Sequence, residues 1–96
     1  MAEAVVTIAN KKGLHARAAA KFVKVVAGYS AQVLVEKLNQ REDESLPPVS
    51  GSSILGLMMF GADAGSSLRI SAEGIQAQEV VAALKELVEN RFGENE

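Results

Sequence analysis

The chain contains one histidine, His15, with Arg17 two residues further on. A loop-like Lys11-Lys12-Gly13-Leu14 precedes His15, and an apolar pattern of helical spacing follows it. A helix start presents unpaired backbone N–H groups and a partial positive charge, which together favour an anion. The same field disfavours imidazolium and leaves a neutral ring with a nucleophilic nitrogen. Arg17 adds a planar fork of donors suited to the oxygens of a phosphoryl group. A nucleophile and an anion cradle within three residues describe a phosphoryl acceptor. The plainer role for such a residue is a surface imidazole that helps to cap a helix. Residue types alone leave both readings open.

A second cluster is Ser50-Gly51-Ser52-Ser53, followed by the apolar run Ile54-Leu55-Gly56-Leu57-Met58-Met59-Phe60. Serine before an apolar helix most often caps it, its hydroxyl accepting from an early backbone N–H. In so short a helix some apolar side chains must face outward, and exposed Met and Leu make an adaptable partner-binding surface. The methionines have no metal-ligand spacing with His15, no carboxylate–histidine cluster of that spacing occurs, and there is no cysteine. Neither phosphate-cradling glycine motif is present, so no metal and no cofactor are expected.

These residues need a scaffold. Ala4–Ala9 is β-branched and apolar and predicts a first strand. From His15 to Ala27, the residues Ala19, Phe22, Val23 and Val26 form one helical stripe, with Gly28 placed to end the helix in a left-handed conformation. Gln32–Leu38 reads as a second strand, Val33 and Val35 on one face and Leu34 on the other. The charged stretch Leu38–Ser52, with Pro47 and Pro48, reads as an extended exposed loop. A short helix is predicted over Ser53–Phe60, ended by Gly61, and a strand over Ser67–Ala72 with Leu68 and Ile70 inward. A final amphipathic helix, Ala77–Arg91, carries Ala77, Val80, Val81, Leu84 and Val88 on one face. Alternating strands and helices favour one sheet covered on one face by helices, a two-layer α+β domain.

Composition bounds the rest. Ninety-six residues, 48% hydrophobic and 23% charged, are expected to form a single domain spanning 1–96. A formal charge of −2 argues against a nucleic-acid partner that needs a basic face. No run approaches the ~20 apolar residues of a membrane span, and no basic start with an apolar run marks a secretory signal. A cytoplasmic location is the expectation.

Taken together, Val6–Val23 (VTIANKKGLHARAAAKFV), Ser52–Ala62 (SSILGLMMFGA) and Gly65–Gly74 (GSSLRISAEG) resemble the HPr family, histidine-containing phosphocarriers of the bacterial phosphotransferase system. The resemblance runs nearly the whole chain. It implies an open-faced β-sandwich: a four-stranded antiparallel sheet with three helices on one face. It implies that His15 takes a phosphoryl group on Nδ1 from phosphorylated enzyme I, that Arg17 stabilises it, and that an enzyme II domain of the A type receives it. Ser53 falls at the family's regulatory serine, the target of an HPr kinase/phosphorylase. Ala16, Arg17, Ala20, Ile54, Leu55 and Met58 would form the shared docking surface of a monomer.

Two departures stand out. Ala18 replaces the family's usual proline after the arginine, which is expected to loosen the phosphate cradle. The segment before Ser53 is several residues longer than usual, so the third strand is expected to be short, displaced or absent. The ending Asn90-Arg91-Phe92-Gly93-Glu94 resembles alphaproteobacterial members, several of them in a nitrogen-related branch. The leading expectation is a carrier that is itself a phosphorylated intermediate and not a turnover enzyme. The rival class is a non-catalytic regulatory protein, either a small-ligand module or a corepressor. A ligand module would bind through an apolar pocket without His15, and a corepressor would need Ser53 alone.

Overall fold

The computed structural model describes residues 1–38 and 47–94. The order is β1 (Ala2–Thr7), α1 (Ala16–Ala27), β2 (Gln32–Lys37), β3 (Val49–Ser50), α2 (Ile54–Met59), β4 (Ser67–Glu73) and α3 (Ala77–Glu89), then a 3-10 turn over Arg91–Gly93. The four strands form one sheet in the order β1-β4-β2-β3, with every pairing antiparallel. The expected α+β open-faced sandwich is the fold observed.

Alternation along the strands sets the two faces of the sheet. Val6, Val33, Val35, Leu68, Ile70 and Ala72 are buried on the helix side, whereas Val5 and Leu34 are exposed. On the open side Arg69 of β4 reaches Glu3 of β1 at 3.3 Å and Glu36 of β2 at 3.9 Å, a polar covering. Phe22 and Val26 of α1, Leu57 of α2, and Val80, Leu84 and Val88 of α3 close the core from the other side. The five predicted residues of α3 are all buried.

The structure departs from the sequence reading in several places. β1 lies two residues earlier than predicted, and Ile8 follows it fully buried, its N–H bonded to Ser66 O at 2.8 Å. In α1 it is Ala18, not Val23, that joins Ala19, Phe22 and Val26 in full burial. Gly28 does cap α1, but in the right-handed region (φ −83°, ψ −1°), so no left-handed turn is what ends the helix. Within the predicted loop 38–52, Val49 and Ser50 pair with Val35 and Leu34, so the third strand is present in the short form that was one of the expected outcomes, two residues long. Gly51 is buried, and an added Cβ would meet the Val33 side chain at 2.7 Å, so this close approach favours glycine. The part of that loop from 39 to 46 lies outside the described residues.

α3 ends earlier than predicted, at Glu89. Arg91 and Phe92 then take φ +57° and +54°, a left-handed pair that costs roughly 1–2 kcal/mol per residue. The turn buries the Phe92 ring, and its carbonyl accepts from Lys21 Nζ at 2.5 Å. The chain is thereby directed back toward the start of α1.

Candidate functional site

The loop entering α1 is built around Asn10 and Gly13. Gly13 has φ +67°, and a Cβ there would lie 2.2 Å from Ala62 O, so only glycine lets the two loops approach this closely. The Gly13 N–H bonds to Asn10 O at 3.2 Å, and Leu14 N–H bonds to Ala62 O at 2.9 Å. Leu14 is buried, which fixes the chain one residue before His15.

His15 occupies the N-cap of α1 with extended backbone (φ −78°, ψ 179°), and its carbonyl accepts the first helical bond, from Ala19 N–H at 2.8 Å. Its side chain caps the helix: Nδ1 accepts the Arg17 backbone N–H at 3.2 Å. A neutral imidazole has one donor and one acceptor nitrogen. With Nδ1 accepting, the proton resides on Nε2, which donates to Glu94 Oε2 at 2.5 Å. The His15 side chain keeps 26% exposure, so the ring is held at both nitrogens yet open to a partner. No acidic residue lies in the first turn of α1, so its positive end is not offset from within the helix.

The Arg17 side chain is exposed in the first turn of the helix and makes no ion pair among the described residues. Ala18 is fully buried, so packing anchors the first turn where the family usually has proline. The chemistry available is that of a partly exposed imidazole whose Nδ1 lone pair accepts the Arg17 backbone N–H at the N-terminus of α1. Phosphoryl oxygens arriving there would meet donors already in place.

Ser53 is the N-cap of α2, and its Oγ accepts the Gly56 N–H at 2.9 Å. The cap role considered for this serine is therefore the one its hydroxyl performs. Ile54, Leu55 and Met58 of α2 are exposed, as are Ala16, Arg17 and Ala20 of α1, and α1 packs against α2. Met59, 66% exposed, extends the apolar patch. An open groove of about 530 Å³ at one end of the sheet, lined by residues including Met1, Leu34, Ser52 and Ser71, contains none of these catalytic candidates. Among the described residues no group of three potential ligands could hold a metal ion, and no helix is long and apolar enough to cross a membrane.

Sequence reasoning missed Glu94, Asn10 and Lys21. Asn10 is fully buried, and its Nδ2 donates both to Gly13 O at 2.8 Å and to Glu94 Oε1 at 3.0 Å. Hydrogen bonds from His15 and then Asn10, with a lesser contribution from the nearby Lys12, hold the Glu94 carboxyl below the usual carboxylate range, and desolvation opposes them.

The family pattern described as "PTS HPr component phosphorylation site" matches residues 2–90. The chain is 50% identical to the phosphocarrier protein HPr of Pseudomonas aeruginosa over 91 residues, 95% of this chain and 94% of that one. The crystal structure of HPr-C-His from Thermoanaerobacter tengcongensis superposes with a TM-score of 0.86 at 41% identity, covering 100% of both chains. That of the phosphocarrier protein HPr from Bacillus anthracis gives 0.78 at 32% identity, over 91% of this chain and 95% of that one. The chain thus belongs to the HPr family, the phosphocarriers of the phosphotransferase system, which work with enzyme I and enzyme II.

Proposed function

We propose that His15 is the phosphoryl acceptor of this carrier and that the phosphoryl group is borne on Nδ1. The observation that carries this reading is the hydrogen bond from Arg17 N–H to Nδ1, at the positive end of α1, whose first turn holds no acidic residue. It marks Nδ1 as the nitrogen with the lone pair. In the transfer the Nδ1 lone pair bonds to phosphorus as the donor's bond to phosphorus breaks, that electron pair leaving with the donor group of phosphorylated enzyme I. The Arg17 N–H released from Nδ1 becomes a donor to a phosphoryl oxygen, and the Arg17 guanidinium supplies further charge. An enzyme II domain of the A type then takes the group by the reverse step. The protein acts as a cytoplasmic monomer that meets each partner through Ala16, Arg17, Ala20, Ile54, Leu55 and Met58.

Ser53 is a regulatory phosphorylation site in this reading, acted on by an HPr kinase/phosphorylase. A phosphate there would bring about −1.5 to −2 charges beside the apolar docking patch, and docking would bear the cost.

Incubation with enzyme I and phosphoenolpyruvate should add one phosphoryl group to the wild-type mass and none to His15→Ala. Arg17→Ala should be labelled more slowly, because the backbone donors remain. Enzyme I-dependent labelling of His15→Ala would refute the assignment.

A further inference from the structure

We propose that Glu94 is a positioning residue for phosphoryl transfer at His15: its carboxylate orients the imidazole through Nε2 and balances the charge the ring acquires when Nδ1 bonds to phosphorus. The proposal rests on the reading of His15 as acceptor and assigns a role to a residue 79 positions away in the chain.

Three observations carry it. First, the chain bearing Glu94 is held in place from several sides. Two non-glycine residues sit in the left-handed region just before it, the Phe92 ring is buried, and Lys21 Nζ binds Phe92 O. Gly93 N–H bonds to Asn90 O at 3.0 Å and Glu94 N–H to Arg91 O at 2.9 Å. Strained backbone of this kind persists only where the surroundings over-determine it, and it concentrates at functional sites.

Second, both carboxylate oxygens are engaged. Oε1 accepts from Asn10 and Oε2 from His15, leaving the Glu94 side chain 16% exposed. Asn10 is tied in turn to Gly13 O, so one clamp spans the loop before His15 and the carboxylate behind it. Third, the two ring nitrogens have complementary partners. A donor faces Nδ1 and a carboxylate faces Nε2, which together fix both ring orientation and tautomer.

During transfer the Nε2 proton stays on Nε2. The ring passes from neutral to cationic as the Nδ1–P bond forms, and the ionised Glu94 carboxylate lies directly against the developing charge. The other charged groups near this pair are all cationic: Lys12 of the entering loop acts on Glu94, Lys21 binds the carbonyl of Phe92 two residues before it, and Arg17 lies in the first turn of α1. Glu94 is the anion among them. The arrangement is that of a carboxylate behind a reactive histidine, where an outer partner fixes tautomer and orientation.

The test has two arms. Carbon-13 titration of the Glu94 carboxyl, which involves no phosphoryl transfer, should show its pKa moving up toward the ordinary carboxylate range in His15→Ala. An unchanged titration would overturn the contact. Separately, His15 phosphorylation by phosphorylated enzyme I should be about tenfold slower in Glu94→Gln at neutral pH. Glu94→Asp should recover part of that loss. The wild-type advantage over Glu94→Gln should shrink as pH falls through the carboxyl titration, which a purely structural role would not produce. A Glu94→Gln rate equal to wild type, or equal slowing by Asp and Gln, would overturn the proposal. A wild-type chain that takes no label would instead refute His15 as acceptor, a result distinct from either.

Discussion

Replacing Gly13 by alanine tests whether the close approach of two loops is what presents His15. Gly13 has φ +67°, and the added Cβ would meet Ala62 O at 2.2 Å and Asp63 Cα at 3.0 Å. Both are backbone atoms, so no rotamer change relieves the contact. Reaching even 3.0 Å from 2.2 Å requires a shift of about 0.8 Å between the loops. The left-handed conformation costs alanine roughly 1–2 kcal/mol. Parting the loops strains or breaks the Leu14 N–H bond to Ala62 O, worth about 1 kcal/mol, and adds an overpacking cost of about 1–3 kcal/mol.

Gly61→Ala is the matched control. Gly61 also has positive φ, +58°, and lies in the facing loop, but a Cβ there has nothing within 4 Å. It should cost only the conformational term. The difference between the two variants, about 2 kcal/mol or more, corresponds to a melting temperature lower by roughly 8–16 °C in a domain of this size. Thermal and urea unfolding followed by circular dichroism would measure it. Phosphorylation of His15 should also slow in the folded Gly13→Ala protein, since a misplacement of about 1 Å can cost ~100-fold, while Gly61→Ala transfers normally. Equal destabilisation of the two variants would show that the loop contact does not constrain the site, and the reasoning would fail.

Ser53→Ala should destabilise by about 1 kcal/mol through loss of the cap to Gly56 N–H, measured by urea unfolding, with little change in His15 labelling. Ser53→Asp can keep a cap yet should slow labelling by enzyme I, less than phosphoserine does; equal rates for all forms would remove the coupling. Because the folded-state pKa of Glu94 is depressed, its stabilising contribution is present above the ordinary carboxylate range and is lost as pH falls through the depressed value. Acid unfolding curves of wild type and Glu94→Gln should therefore converge at low pH and separate above it.

The parts of this molecule legible in its sequence are those whose cause is local. Val33 and Val35, Leu68 and Ile70, and the five buried positions of α3 declare their faces by a period of two or of 3.6. The placing of His15 and Arg17 at a helix start was legible because the apolar stripe begins just after them. Boundaries were less so: β1 slid toward the N-terminus because AEAVVT has partners in β4 from Ala72 to Ser67, which no property of the segment itself reveals. Gly28 ends α1 without the left-handed turn that glycine permits, so residue identity gave the right position for the wrong reason. Glu94 was illegible. Its role depends on two bulky residues adopting a backbone conformation they ordinarily avoid, and the one outward sign was Phe92, an apolar residue just past the amphipathic stripe.

That distribution follows from what a carrier requires. Its phosphoryl group has to be reached by two partners in turn, so the acceptor cannot lie in a deep pocket, and His15, the proposed acceptor, keeps a quarter of its side chain exposed (26%). Without enclosure, control of the ring passes to hydrogen bonds at its two nitrogens. The local one, from Arg17 N–H, comes with the helix that follows His15. The distant one, to Glu94, has to be delivered by tertiary structure: by Asn10 from the loop, Lys21 from α1 and the buried Phe92 beyond α3. The proposed nucleophile is therefore a property of a few adjacent residues, whereas its orientation is a property of the whole fold. Loss of packing at the end of α3 should consequently weaken transfer at His15 even where the His15–Arg17 segment itself is intact.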